Sequence, residues 1–137
     1  MRLRLFYTAV TSLVLTAESR TYLSWLADTF IDQGVKPTFG YQEATLYLGI
    51  EKAYEYTQDG KYLDWLKRQI DDNVVQEDGS IKGWKKDSYV LDNYRMGNQY
   101  LYLYNETADP KYKLAASVVR KQLNGHPRTP SGGFWYV

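Results

Sequence analysis

One aspartate, Asp92, has the clearest potential for chemistry in this sequence. It follows a turn-rich segment and opens a helical pattern that runs to about Tyr104, which predicts that Asp92 lies in a first helical turn. The free N–H groups and the dipole at the start of a helix favour an ionised carboxylate there. The aromatic residues nearest to it in the sequence are Trp84, Tyr89 and Tyr94. Aromatic faces would suit a sugar ring, but from these residues alone a helix cap, or an ion pair with Arg95 one turn later, is the simpler interpretation.

The last stretch of the sequence places His126, Arg128, Phe134 and Trp135 among two prolines and three glycines. The prolines and glycines predict a loop without regular structure. Four large or charged side chains of this kind are not expected in an unstructured tail. His126 is the single histidine and there is no cysteine. Histidine metal clusters, most histidine-based triads, disulfides and thiolate sites are therefore excluded, and we expect no metal or cofactor.

The composition limits the class of protein. A chain of 137 residues holds one domain at most. The formal charge is +1 and there is no basic run, so neither nucleic acid nor an anionic membrane is an expected partner. The 14 tyrosines are conspicuous, because aromatic side chains with polar tips suit surfaces that are half apolar and half wet. Many of them must nevertheless fill seams between helices.

Residues 1–19 have the features of a secretory signal peptide. Arg2 and Arg4 precede the 13-residue, mostly apolar run Leu5–Ala17, and small residues allow cleavage near Ser19. The run is too short to span a bilayer comfortably, and a buried first helix is the alternative. The signal predicts a secreted, extracellular protein, in which the triplet starting at Asn105 could accept an N-linked glycan.

The remaining sequence predicts an all-α fold. The expected helices are Thr21–Gln33, Tyr41–Thr57, Lys61–Val74, the helix that begins near Asp92, and Pro110–Leu123. Gly34 is a predicted C-cap, and Asp109 before Pro110 is a predicted N-cap followed by a first-turn proline. A short strand over residues 80–84 is the one other element that the pattern allows.

A repeat organises these helices. Residues 54–62 and 104–112 share the pattern Thr-x-Asp-(Gly/Pro)-Lys-Tyr at an offset of 50 residues, each time between two predicted helices. This predicts αα-hairpins in tandem, which bury their apolar faces only by stacking on neighbours. The sequence holds about two and a half hairpins, which favours the first part of a larger ring over an open stack.

Together, Leu91-Asp92, the Thr-x-Asp-x-Lys-Tyr turns and the string from His126-Pro-Arg-Thr to Gly-Gly-Phe-Trp135 resemble glycoside hydrolase family 105. These are the unsaturated rhamnogalacturonyl hydrolases, related to the unsaturated glucuronyl hydrolases of family 88. The resemblance covers about residues 25–135 and implies an (α/α)6 barrel of six helical hairpins. It also implies action on pectin-derived oligosaccharides that end in a 4,5-unsaturated galacturonyl residue. In such enzymes an aspartic acid protonates C4, water adds at C5, and the resulting hemiketal opens to release the aglycone.

The resemblance also assigns site residues. Asp92 matches the first active-site aspartate of the family, which would hold the sugar and help to position the water or the acid. Tyr41 matches an aromatic contact to the unsaturated sugar, and Trp135 and Tyr136 are the expected substrate contacts at the end of the string. Tyr136 stands where the family usually has a histidine, and Asn93 stands where it often has a second acid.

The general acid of the family lies in a Trp-Leu-Asp segment that this sequence does not reach. We therefore expect residues 20–137 to be the N-terminal part of a truncated hydrolase domain, whose activity depends on a proton donor within hydrogen-bond reach. The alternative is a non-catalytic helical-repeat module that binds a carbohydrate or a protein through its aromatic surface. The sequence predicts no oligomeric state.

Overall fold

The computed structural model describes residues 21–135, which form helices joined by structured loops. The described α-helices are α1 (Tyr22–Gln33), α2 (Tyr41–Thr57), α3 (Gly60–Asn73), α4 (Gly97–Thr107) and α5 (Pro110–Asn124), and a 3₁₀ helix (Leu91–Met96) precedes α4. The β-pairing in this part consists of two isolated bridges, Val75–Ile81 and Arg128–Phe134. The all-α expectation is confirmed, and the possible strand over residues 80–84 is reduced to one bridge. The predicted signal peptide and Tyr136 lie outside the described residues.

The turn between α2 and α3 is held by side chains of the repeated motif. The Thr57 hydroxyl donates to the Ala53 carbonyl at 2.7 Å and accepts from the Asp59 N–H at 3.2 Å. The Asp59 carboxylate then accepts from the Lys61 N–H at 3.1 Å, which caps α3. Gln58, between threonine and aspartate, has a positive φ of 57°.

The turn between α4 and α5 repeats each of these bonds. The Thr107 hydroxyl donates to the Leu103 carbonyl at 2.6 Å and accepts from the Asp109 N–H at 3.2 Å. The Asp109 carboxylate accepts from the Lys111 N–H at 3.0 Å, and the φ of Ala108 is again 57°. The sequence repeat is therefore a structural repeat of helix, turn and helix, as the 50-residue offset predicted.

The same motif also ties each hairpin to a preceding helix. On α3, the Lys61 ammonium lies 2.8 Å from the Asp28 carboxylate of α1, and the Tyr62 hydroxyl donates to that carboxylate at 3.1 Å. We call this contact the Asp28 ion pair. Lysine supplies the charge and tyrosine supplies a partly buried hydrogen bond, so the motif ties α3 to α1 as well as forming the local turn.

The second copy of this contact is the Asp71 ion pair. The Lys111 ammonium of α5 lies 3.1 Å from the Asp71 carboxylate of α3, and the Tyr112 hydroxyl donates to Asp71 at 2.7 Å. Lys67 on the same helix also pairs with Asp71. Each hairpin is thus joined to the helix before it by the same chemistry, which is how tandem repeats complete their core.

Tyrosine fills much of the core. Four tyrosines are almost fully buried in the described part of the chain: Tyr47, Tyr62, Tyr100 and Tyr112. The Tyr47 ring meets Trp65 edge-on, with the two ring centroids 5.8 Å apart, which is a favourable aromatic geometry. Much of the high tyrosine content therefore reflects helix–helix packing.

One carboxyl group, that of Glu51 on α2, is buried among these helices. Burial raises the pKa of Glu51 to about 7, against smaller lowering effects of the Gln99 amide and the Lys52 charge. Within residues 21–135, Glu51 Oε1 and Gln99 Oε1 are both buried without a hydrogen-bond partner. A raised pKa reduces the cost of this burial, because the neutral acid has less hydration to lose than the carboxylate.

Candidate functional site

Asp92 is the second residue of the 3₁₀ helix, which begins after Val90. Its side chain is partly exposed. The prediction of a first-turn position is confirmed, although the element is a 3₁₀ helix and α4 starts only at Gly97. A Cβ at Gly97 would lie 3.1 Å from Cγ1 of Val119, so glycine lets α5 pack closely where the two helices meet.

Neither simple interpretation of Asp92 describes this arrangement. The residue before the 3₁₀ helix is Val90, so Asp92 is inside the helix and is not its N-cap. Arg95 is exposed and, within the described part of the chain, forms no ion pair with Asp92. Among the described residues, Asp92 is therefore a first-turn acid of the 3₁₀ helix that is neither its N-cap nor the ion-pair partner of Arg95.

The loop before this helix is fixed by Gln122 of α5. The indole N–H of Trp84 donates to the Gln122 carboxamide oxygen at 2.5 Å. The Gln122 amide nitrogen donates in turn to the backbone carbonyls of Lys85, at 3.0 Å, and of Ser88. Sequence reasoning missed Gln122, because a glutamine near the end of a helix belongs to no motif and its partners lie more than 30 residues away.

A row of aromatic rings crosses this region, and we call it the aromatic row. The centroid distances along it are 5.5 Å for Phe39–Trp84, 6.3 Å for Trp84–Tyr94, 5.6 Å for Tyr94–His126 and 5.3 Å for His126–Phe134. Tyr89 joins it from the side, with its ring 5.5 Å from that of His126. Trp84, Tyr89 and Tyr94 therefore lie in one cluster of rings together with His126.

His126 links two of the predicted site segments. Its side chain is buried, with Nδ1 3.1 Å from the Tyr94 hydroxyl and Nε2 2.6 Å from the Trp135 carbonyl oxygen. A carbonyl only accepts, so Nε2 carries the proton, and in the neutral ring Nδ1 accepts from the Tyr94 hydroxyl. The histidine thus fastens the terminal loop to the helix that carries Asp92.

The terminal loop, residues 125–135, is held by local hydrogen bonds and one contact between a cation and an aromatic ring. Thr129 N–H donates to the Gly133 carbonyl at 2.8 Å, and Gly132 N–H donates to the Thr129 carbonyl at 2.8 Å. The Arg128 guanidinium lies over the Phe134 ring at 3.4 Å. The expectation of a loop without regular structure is confirmed, since the described segment after α5 holds only turns and one isolated bridge, and Gly132 adopts the positive φ, 86°, that closes a tight turn.

The aromatic row connects the segments that carry the predicted substrate contacts. Tyr41 is the first residue of α2, two residues after Phe39, and its side chain is 49% exposed. Trp135 follows Phe134 directly and is 51% exposed. Asp92 precedes Tyr94 by two residues. The aromatic row therefore links the segments that carry Asp92, Tyr41 and Trp135, and both aromatic side chains are about half exposed.

Comparison with known proteins identifies the family of the chain. The model of Glycosyl Hydrolase Family 88 matches residues 6–137 of the chain. The chain belongs to this family. The match begins inside the segment predicted to be a signal peptide.

A solved structure supports the same assignment and the fold. It is a glycoside hydrolase from family 105 of C. acetobutylicum ATCC 824, with 36% sequence identity and a TM-score of 0.79. The alignment covers 84% of this family 88 chain and 32% of the other, so the chain spans about a third of the length of that hydrolase. The predicted resemblance and the partial toroid of helical hairpins are both confirmed.

Proposed function

We propose that this family 88 chain forms part of a glycosidase site for oligosaccharides that end in a 4,5-unsaturated galacturonyl residue. The observation that carries the proposal is the aromatic row, which joins the segments of Asp92, Tyr41 and Trp135. Exposed aromatic faces beside a carboxylate suit a sugar, because the rings pack on its C–H face while the carboxylate accepts from its hydroxyls.

The proposed reaction is hydration of the C4=C5 double bond. A proton adds to C4 and the hydroxyl of a water molecule adds to C5, so the atoms of one water enter the sugar. The resulting hemiketal opens, and the aglycone leaves with a proton on its oxygen. In this scheme Asp92 holds the sugar and orients the water or the acid, Tyr41 and Trp135 contact the ring, and Tyr136 remains a predicted substrate contact.

The test is Asp92→Asn, which keeps the shape of the side chain and removes its charge, made in a protein whose sequence continues through the Trp-Leu-Asp segment expected to carry the general acid. Turnover of an unsaturated galacturonyl disaccharide is followed as the loss of absorbance of its double bond. We expect the variant to be slower by about 10²–10⁴-fold, the usual contribution of a group engaged in acid–base catalysis.

Asp87→Asn is the matched control, because Asp87 is an exposed acid in the adjacent loop and lies outside the aromatic row. Circular dichroism of both variants checks helicity. Near-normal turnover by a folded Asp92→Asn variant would overturn the assigned role.

The second candidate is a carbohydrate-binding module without catalysis. The exposure of Tyr41 and Trp135 favours it, since a binding surface needs accessible aromatic side chains and no proton donor. Saturable binding of the disaccharide, with no absorbance change in the wild-type chain, would select this candidate.

We also propose that the protein is secreted, on the basis of the two arginines and the apolar run within residues 1–19. We expect the mature chain to begin between Glu18 and Arg20. N-terminal sequencing of material from the culture medium tests this, and a soluble cellular product that retains Met1 would contradict it.

A further inference from the structure

A small cavity lies beside the 3₁₀ helix that carries Asp92, and neither Tyr41 nor Trp135 is among its lining residues. It has a volume of about 190 Å³ and is lined by Phe39, Gly83, Trp84, Lys85, Ser88 and Asn93. Asn93 is the residue directly after Asp92, and Phe39 comes from the segment before α2. Three parts of the chain therefore build this cavity, and one of them carries the proposed catalytic residue.

Three polar side chains of the cavity have no other partner among the described residues. Within residues 21–135, the Lys85 ammonium forms no ion pair, and the Ser88 hydroxyl and the Asn93 carboxamide form no hydrogen bond. A lysine, a hydroxyl and an amide that line one cavity can offer a charge and several donors to a ligand.

The backbone around these groups is held in place before any ligand arrives. Gln122 binds the indole of Trp84 and the carbonyls of Lys85 and Ser88, and the Phe39 ring packs against Trp84 with a centroid distance of 5.5 Å. Ligand sites are usually largely preformed in this way. The volume is below the roughly 300 Å³ at which typical ligand pockets begin, so one end of a sugar unit fits better than an oligosaccharide.

The chemistry of the lining selects the ligand. A carboxylate pairs with an ammonium through charge-assisted hydrogen bonds, which are stronger than neutral ones. A hydroxyl and an amide serve the neighbouring sugar hydroxyls, and the Phe39 and Trp84 rings supply apolar contact. A neutral sugar would leave Lys85 without a role.

We propose that this cavity binds the carboxylate end of a second uronic acid unit, next to the sugar held at Asp92. The proposal rests on the proposed function, because it places the two units on one oligosaccharide. It gives the substrate a stated chemistry: at least two consecutive acidic sugars, with the second recognised by Lys85, Ser88 and Asn93.

The test uses saturated digalacturonate, which has no double bond to hydrate, and its methyl ester, in which the carboxylates are neutral. Isothermal titration calorimetry measures binding of both to the 137-residue chain. We expect the wild type to prefer the acid over the ester by about tenfold, the ratio that one good ionic contact gives. Lys85→Met should lose this preference, and Asn93→Asp, which adds a negative charge to the cavity, should weaken binding of the acid alone.

Lys86→Met is the matched control, because Lys86 is the adjacent exposed lysine and does not line the cavity. It should bind the acid and the ester as the wild type does. Equal affinity of wild type and Lys85→Met for the acid, or an equal effect of Lys86→Met, would overturn the proposal.

The binding assay separates this proposal from the catalytic one. If the preference for the acid over the ester depends on Lys85 while Asp92→Asn turns over normally, the catalytic role of Asp92 is contradicted and the carboxylate site is supported. Slow turnover by Asp92→Asn without any dependence on Lys85 would give the opposite result.

Discussion

His126 is the residue that joins the parts of the candidate site. It is 2% exposed and bonds Tyr94 through one ring nitrogen and the Trp135 carbonyl through the other. Buried polar groups cost free energy when they lose a partner, so a ring with both nitrogens bonded resists displacement. The position of Trp135 relative to Asp92 therefore depends on a side chain that need not touch the substrate.

We predict that His126→Ala releases the terminal loop. Trypsin cleavage after Arg128, followed by mass spectrometry, measures this opening. Loss of the buried, hydrogen-bonded imidazole should lower the free energy of opening the loop by about 1–3 kcal/mol. Because trypsin cuts only the opened loop, cleavage should be faster by roughly tenfold or more. Tyr94→Phe removes one bond and keeps the ring, and it should give a smaller increase. Unchanged cleavage in both variants would contradict the positioning role.

The sequence identified His126 and Asp92 as unusual residues but could not pair the histidine with its partners. The Tyr94–His126 bond spans 32 residues of sequence. Gln122 poses the same difficulty, since its three bonds to the 84–88 loop exist only when α5 lies against that loop. Contacts of this kind follow from tertiary packing and leave no local signal in the pattern of residue types.

At the scale of elements, the two repeated ion pairs differ in burial. The Lys111 side chain of the Asp71 pair is 7% exposed, whereas the Lys61 side chain of the Asp28 pair is 47% exposed. Burial alone would raise the pKa of Asp71, but hydrogen bonds from Lys67, Tyr112 and Lys111 outweigh it and lower the pKa. A carboxyl with a lowered pKa stabilises the fold while it is ionised.

We predict that Asp71→Asn lowers the free energy of unfolding by about 1–3 kcal/mol at pH 7, because the buried Lys111 ammonium loses the nearest of its carboxylate partners. The contribution of Asp71 is present above its unfolded pKa of about 3.9 and is lost as the pH falls through the lower, folded value. As the pH falls below about 4, the free energy of unfolding of the variant should therefore decrease less than that of the wild type. Urea titrations at several pH values measure this.

Asp28→Asn is the comparison in the other repeat. Its lysine partner stays hydrated, so we expect a smaller loss at pH 7. An equal loss in both variants would show that burial of the lysine does not decide the strength of these pairs.

Helix boundaries were largely predictable because their signals are local. Asp59 and Asp109 cap α3 and α5, and Gly34 ends α1 with a φ of 73°. The start of α4 was not predictable, because the spacing of apolar residues fits a 3₁₀ helix and an α-helix equally well over six residues. The close contact between Gly97 and Val119 was not predictable either, because the spacing of apolar residues along the sequence does not show which helices pack together.

At the scale of the molecule, a groove between α1 and α2 leaves apolar side chains in contact with solvent. It has a volume of about 480 Å³, and its lining includes Leu23, Leu26, Phe30, Val35 and Leu46. Leu26 and Phe30 are 37% and 40% exposed. Contiguous apolar surface of this kind favours association, because burial removes it from water.

We predict that the 137-residue chain self-associates through this groove. Sedimentation velocity should show that the weight-average mass rises with protein concentration. The double variant Phe30→Ser and Leu26→Ser should shift this rise to at least tenfold higher concentration. The reason is that burial of each of these side chains contributes about 1.5–3 kcal/mol to association. Tyr56→Ser is the control, because Tyr56 is 69% exposed on α2 and does not line the groove. A wild-type chain that stays monomeric at all concentrations would contradict the prediction, and so would association that the double variant leaves unchanged.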